Sequence, residues 1–556
     1  MAWTRRQFLE AVGRAGGAAA AYEAMTAMGL LRVPSAFAGI PDLPPGDGKR
    51  VVILGAGIAG LTAAYELNKK HYAVTILEAQ NRAGGRNHTV RRGDVLEEMT
   101  GERQVCKFDE GLYLNAGPGR LPYHHTAVLE YCKVLGVPLE VYVMMSRANL
   151  FQTPDAWNGE PKTQRQIAND TRGWIADLLA KAVRGKSLDK TLSASDRDSL
   201  LALLKSFGDL NASYDYVGSS RSGYSIEPGI TPCPDIIKPP LELRDLLKSD
   251  FWDFRFYQSE EYEWQPTLFE PVGGMDGIVH GFLPHVGHLI RYNREVVEVE
   301  NTTTGVRVRH GAAGTKGASS EWEEADWCIS SIPIPILART KNNFRDDYIE
   351  ALGAVKKFAP TCKVGWQANR RFWELDNQIY GGISYIKHDI TQMWYPSHDY
   401  FKPKGVLTGA YNYSTAAEEM GNMKPEGRLV KAMEGAKKLH PRFDEFVPID
   451  LGMSIAWQNI RYQEGGWAED WDCPDEVYTR LIRPEGHFWV TGDQVSDISG
   501  WQEGAIRSAL YVLERIARPE LVAAAPPMAR EVASRAAKKV APTRAETIKR
   551  RTRGLP

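Results

Sequence analysis

The chain has 556 residues and a mass of 62.0 kDa, too long for one ordinary domain and suited to about two to four. Its 68 basic and 69 acidic residues give a net charge of −1, which lacks the basic excess of a dedicated nucleic-acid binder. With 43% hydrophobic and 25% charged residues, global disorder is also excluded. The six cysteines, Cys106, Cys132, Cys233, Cys328, Cys362 and Cys473, contain no C-x-x-C pair, so neither a disulfide framework nor a zinc motif is expected, and no metal.

Residues 1–38 read as a targeting segment. Thr4-Arg5-Arg6-Gln7-Phe8-Leu9 is a twin-arginine pattern, an Ala/Gly-rich stretch runs from Ala11 to Leu31, and Ala36-Phe37-Ala38 forms a small-x-small cleavage site. Export to the periplasm or beyond a bacterial cell is the expectation. Arg14 and Glu23 interrupt the apolar stretch and exclude a spanning helix of about 20 apolar residues, so no stable membrane insertion is expected.

Arg50 to Leu54 is a short apolar run suited to a buried parallel strand. Gly55-Ala56-Gly57-Ile58-Ala59-Gly60 follows, then a helical composition from Leu61 to Lys70, then a second strand from Tyr72 to Leu77 ending at Glu78. Strand, G-x-G-x-x-G, helix, strand, acid is the order of a dinucleotide site. The glycines let backbone N–H groups approach a pyrophosphate at a helix N-terminus, and an acid 21 residues after Gly57 can accept ribose hydroxyls. An acid rather than an arginine there disfavours NADP. Farther on, Ile167 to Leu204 is helix-rich, Gly218 to Pro240 is loop-like, and the segment 517–556 is a basic tail.

Glu78-Ala79-Gln80-Asn81-Arg82-Ala83-Gly84-Gly85-Arg86 resembles the second motif of the flavin amine oxidase family, in which G-G-R wraps the flavin diphosphate. Phe488 to Asp493, Gly500-Trp501-Gln502-Glu503-Gly504-Ala505-Ile506, Pro271 to Asp276 and Ala325 to Ile329 resemble further segments in family order. The resemblance implies an α/β fold: a Rossmann-like FAD-binding domain, a mixed-sheet substrate domain and a helical insertion. It implies FAD contacts at Gly55, Gly57, Ala59, Gly60, Glu78, Ala79, Arg82, Gly84, Gly85 and Arg86. It implies others at Gly117, Pro118, Gly119 and Arg120, at Val296 beside the adenine, and at Trp467, Gly492, Asp493, Gly500, Trp501 and Ala505. Trp467 stands where mitochondrial monoamine oxidases carry a flavin-linked cysteine, so FAD is expected to be non-covalent.

Within the family, Asn115-Ala116-Gly117-Pro118-Gly119-Arg120-Leu121-Pro122 is closest to L-amino-acid oxidases, where this arginine binds the substrate carboxylate. A guanidinium fork suits a carboxylate bidentately. By the same resemblance Tyr411 adds a donor to that carboxylate, the Gly500 carbonyl accepts from the substrate amine, and Trp501 walls the site. Lys363, in an apolar stretch, corresponds to the family's lysine that holds a water near flavin N5. Trp394, Tyr395 and Trp467 are candidate pocket walls.

The implied activity is oxidative deamination of L-amino acids by O2, giving 2-oxo acid, ammonia and hydrogen peroxide. A tryptophan 2-monooxygenase-like oxidative decarboxylation shares these motifs, and a monoamine or polyamine oxidase is the second alternative, disfavoured by Arg120. The family often forms homodimers. Expected segments are 47–108, 262–340 and 475–516 for FAD, 109–165 and 341–474 for substrate, and 166–261 for the insertion.

Overall fold

The computed structural model describes residues 39–188, 191–230, 235–314, 320–468 and 475–523. The twin-arginine segment, Cys233, Cys473 and the tail beyond 523 lie outside the described residues. The described cysteines are Cys106, Cys132, Cys328 and Cys362, all buried and unbridged.

The chain divides into two compact units. One is built from Asn87–Gly281 and Ala359–Gly466; the other from Phe282–Phe358 with the described parts of Ser35–Arg86 and Trp467–Pro556. These boundaries differ from the expected ones. Residues 87–108 and 262–281 join the first unit through strand pairing: Thr89–Arg91 runs antiparallel to Tyr113–Asn115, and Leu268–Pro271 to Leu139–Tyr142. Residues 346–354 belong to the second unit because their helix buries Tyr348 and Leu352 in a core with Val52, Leu54 and Phe488.

The second unit is centred on a five-stranded parallel sheet. In order its strands are Ile290–Arg291, Ala73–Leu77, Arg50–Leu54, Trp327–Ser330 and Phe488–Val490. Val51, Val52, Ile53 and Leu54 are all buried, the continuous apolar run of a strand covered on both faces. The helix Ile58–Lys69 follows the first strand, and the helix Gln502–Ala517 buries Ile506, Ala509, Val512 and Leu513.

The first unit holds a seven-stranded mixed sheet. Its order is Lys162–Thr163, Leu150–Gln152, Gly382–Ile386, Gln392–Tyr395, Gly405–Tyr413, Thr361–Ala368 and Gly452–Ala456. Side chains alternate across a strand. Along Thr361–Ala368, Cys362, Val364, Trp366 and Ala368 enter one core with Phe372, Trp373 and Phe443, which leaves Lys363, Gly365 and Gln367 on the opposite face. The helix-rich stretch resolves into Gln164–Arg184 and Ala194–Gly208, packed through Ala176, Ala180 and Leu204. Among its described residues, the stretch expected to be loop carries a short ladder, Tyr224–Ile226 against Ile236–Ile237. Among the described residues no helix is long and apolar enough to cross a membrane.

Candidate functional site

The glycine-rich turn in the second unit uses its three glycines differently. Gly55 has φ +97°, a left-handed conformation that favours glycine, and donates its N–H to the Leu77 carbonyl at 2.8 Å. A Cβ on Gly60 would lie 2.1 Å from the Gly55 carbonyl oxygen, so helix and strand pack this closely only without a side chain. A Cβ on Gly57 would meet nothing within 4 Å. Gly57 is also the N-cap of the helix Ile58–Lys69, with no side-chain cap and no acid in the first turn. The helix thus offers uncapped N–H groups beside open space, which fits an anionic diphosphate.

Glu78 is buried, and burial raises its pKa against the opposing Ala56 and Gln80 hydrogen bonds. Its carboxylate accepts from Ala56 N at 2.7 Å and Gln80 N at 2.8 Å, which locks the glycine turn to the end of the second strand. Ala79 and Arg82 are half-buried just after it. Gly84 and Gly85 both have positive φ, and Gly84 N donates to Ala56 O at 2.8 Å, so the two expected diphosphate motifs touch. Arg86 forms a two-pronged ion pair with Asp493, one contact at 3.1 Å, and its guanidinium lies 5.5 Å from the Phe358 ring centre. The same Asp493 accepts from Gly500 N at 2.9 Å. Gly492 (φ +116°) donates to Ser508 Oγ at 2.8 Å. Trp467 lies beside Gly500, since a Cβ there would sit 3.4 Å from the indole side chain. Trp501 is the N-cap of the helix Gln502–Ala517, and Ala505 is buried in its first turns. Val296 is half-buried opposite His310 in a strand pair, packs against the core that holds Leu54 and Leu77, and follows Arg294, whose N–H donates to the Glu78 carbonyl at 2.8 Å.

Arg120, Lys363 and Tyr411 all belong to the first unit, and register brings the last two together. Lys363 and Tyr411 are direct partners across antiparallel strands, so they share a face. A register shift beside Val364 and Gly365 leaves Gly409 unpaired, the mark of a bulge, which re-aims side chains where it falls. Lys363 is 2% exposed, and its Nζ sits 4.9 Å from the Tyr411 ring centre and 4.8 Å from that of Trp394. It donates to the carbonyls of Gly117 and, at 3.1 Å, Asn115. That holds the segment leading to Arg120, which is also fixed by Trp457 Nε1 donating to Ala116 O at 3.0 Å. Burial pushes the Lys363 amine down to about 7, and the Arg120 charge acts in the same direction.

Arg120 is buried, with its guanidinium 4.9 Å from the Trp394 ring centre and 6.0 Å from that of Tyr142. Gly119 lies flat against Trp394, where an added Cβ would meet the indole at 2.6 Å. Pro118 is half-buried beside it. Trp394 and Tyr411 meet edge to face at 4.9 Å. Burial pushes both Tyr142 and Tyr411 up to about 12, against the Arg120 charge, which pulls them down. The result is an aromatic box around two cationic groups, and no carboxylate is among the causes that shift Lys363. Tyr395 is buried, packs in the opposite core and bonds Ser384 Oγ at 2.9 Å, and it borders one cavity together with Trp394, Tyr142 and Gly119.

Sequence reasoning missed Tyr142 and Tyr385. Tyr142 comes to Arg120 because Pro122 and Tyr142 both pair with Leu268 from opposite sides. Tyr385 is a buried neighbour on which the Arg120 charge acts, with its O–H donating to Gln258 Oε1 at 3.2 Å. Neither residue has a local sequence signal; pairing register alone places them.

The model of the flavin-containing amine oxidoreductases matches residues 58–517, most of the chain. The chain belongs to that family. A flavin-dependent L-tryptophan oxidase of Lentzea aerocolonigenes is 25% identical over 499 residues, covering 84% of this chain and 98% of the relative. An L-amino-acid oxidase of Protobothrops flavoviridis is 26% identical over 487 residues, covering 84% and 89%. Among solved structures, cyclohexylamine oxidase from Brevibacterium oxydans shares 14% identity at a TM-score of 0.54, covering 85% of this chain and 99% of that one. Putrescine oxidase bound to putrescine shares 18% at 0.53, covering 86% and 99%. These structural likenesses establish the flavin amine oxidase fold.

Proposed function

We propose that this flavin-dependent oxidoreductase is an L-amino-acid oxidase that holds FAD non-covalently and forms a 2-oxo acid, ammonia and hydrogen peroxide. Arg120 carries the reading. A buried guanidinium, walled by Trp394, Tyr142 and Tyr411 and accompanied by Lys363, makes an electropositive aromatic pocket suited to a carboxylate attached to an apolar body. The names of the relatives, L-tryptophan oxidase and L-amino-acid oxidase, support the same class.

In this reading the glycine turn at Gly55–Gly60 and the Gly84–Arg86 stretch hold the diphosphate. Arg86 is itself oriented by Asp493. When bound, flavin would supply the hydride acceptor and the redox link to oxygen. The chain's own residues supply positioning. Arg120 and the Tyr411 hydroxyl hold the carboxylate. Lys363, its amine pushed down to about 7 by burial, can take up or give up a proton within the pocket near neutral pH.

The test is Arg120→Ala, assayed with matched pairs such as tryptophan and tryptamine. A charge-assisted hydrogen bond contributes roughly 1.5–3 kcal/mol, so kcat/KM for the amino acid should fall at least about tenfold and up to several hundredfold. Slow oxidation of the amine should be unchanged or improved. Equal turnover of amino acids by parent and variant would remove the carboxylate assignment. Product analysis of the parent, 2-oxo acid with ammonia and peroxide against amide with carbon dioxide, separates the oxidase from a 2-monooxygenase.

A further inference from the structure

His124, His125 and Glu263 place three metal-ligating atoms together, outside the residues assigned to substrate or cofactor. Both imidazoles turn Nε2 toward the same carboxylate oxygen, Glu263 Oε2, at 3.1 Å from His124 and 3.0 Å from His125. These separations match an edge of a metal polyhedron: tetrahedral bonds of about 2.0–2.1 Å give ligand–ligand edges of roughly 3.3 Å. The rings are stiffly held. His125 is buried at the N-terminus of the helix Thr126–Val134, and His124 packs against Tyr262 at 4.2 Å and Tyr123 at 5.1 Å. Glu263 is the most open of the three, with 28% of its side chain exposed, so remaining coordination positions face water.

We propose that His124, His125 and Glu263 bind one divalent transition-metal ion, zinc by the chemistry of two imidazoles and one carboxylate. Hard, oxygen-seeking ions such as magnesium and calcium prefer all-oxygen cages and fit poorly; borderline ions fit well. The ion would act as a clip. His124 and His125 follow the Leu121–Pro122 strand after one residue, Tyr123, and Glu263 precedes Leu268–Pro271, which pairs with that strand. Metal therefore fastens the open end of this two-strand contact and restrains the segment that begins at Arg120. The site is structural with respect to oxidation, and its existence does not depend on which substrate Arg120 binds.

The experiment uses flavin-loaded protein stripped with chelator, then dialysed against micromolar zinc and, separately, magnesium. Bound metal is counted by mass spectrometry and the thermal midpoint is recorded. The expected result is one zinc per chain, a higher midpoint with zinc, and no change with magnesium, since an ion that binds only the folded chain stabilises it. His124→Gln and Glu263→Gln, chosen because both sites are partly exposed, should retain flavin yet bind zinc at least about tenfold more weakly, as loss of one ligand predicts. Zinc uptake equal in parent and variants would overturn the proposal. So would less than about a tenth of an equivalent of zinc on the parent at micromolar free metal. Retained flavin distinguishes a lost ligand from a lost fold.

Discussion

The fold disfavours the charged form of Lys363. Its amine, ordinarily near 10.5, is pushed down to about 7 by burial, reinforced by the Arg120 charge. Between those two values the unfolded chain keeps a proton that the folded chain has lost, so stability rises as pH climbs from about 7 to 10.5. Below about 7 both states are charged and the full burial penalty applies. Lys363→Met should abolish this dependence. Denaturant unfolding of parent and variant should diverge by a few kcal/mol more at pH 6 than at pH 10, at about 1.36 kcal/mol per pKa unit. A parallel pH dependence in the two proteins would show that Lys363 stays charged when folded. The sequence showed that this lysine sits in an apolar stretch. It did not show that the neighbours are aromatic rings and a guanidinium, because Trp394, Tyr411 and Arg120 are far apart in the chain and meet only through strand register.

The glycine turn is the element most legible in sequence, because every part of it is contiguous. Strand, turn, helix and second strand lie within Arg50–Leu77, and the structure places them with shifts of only one to three residues at their ends. The turn also allows a sharp separation of folding from binding. Gly60→Ala drives a Cβ to 2.1 Å from a backbone oxygen that cannot step aside, so it should destabilise flavin-free protein by roughly 1–3 kcal/mol. Gly57→Ala meets only open space and should leave that stability nearly unchanged while weakening flavin affinity, because the methyl stands where a diphosphate approaches the helix N-terminus. Thermal unfolding without flavin, followed by FAD titration, checks both. If Gly57→Ala binds FAD as tightly as the parent, the diphosphate does not approach at Gly57. The Arg120 segment was legible in another way: its local motif was visible, but its walls were not. Tyr142 lies on a strand of its own, and only the shared pairing with Leu268 brings it to the arginine.

At the scale of the whole molecule, the unit boundaries were the least legible feature. Motifs mark where a cofactor touches the chain, whereas units follow backbone pairing, and the two diverge at 87–108 and 262–281. The expectation of non-covalent FAD also belongs to this scale. Trp467, beside Gly500, has no nucleophile to offer a flavin. Denatured protein should therefore release all its flavin into the supernatant, and added FAD should raise the thermal midpoint of the native protein by mass action, worth about 2.7 kcal/mol at a hundredfold excess over Kd. Yellow colour remaining in the precipitate would require a covalent link elsewhere.

The pairing of Arg86 with Asp493 closes a loop of 407 residues. A ribosome adding about 5–20 residues per second needs roughly 20–80 seconds to cross that gap. Throughout that interval Arg50–Leu54 lacks the edge strand Phe488–Val490 of its finished sheet, and Arg86 lacks its counter-ion. The nascent chain therefore carries an unfinished parallel sheet with an exposed edge for most of its synthesis, the kind of surface that chaperones shield. Completion of the five-stranded sheet waits for Phe488–Val490, so truncating the chain before Phe488 should yield a product that neither closes this sheet nor retains flavin.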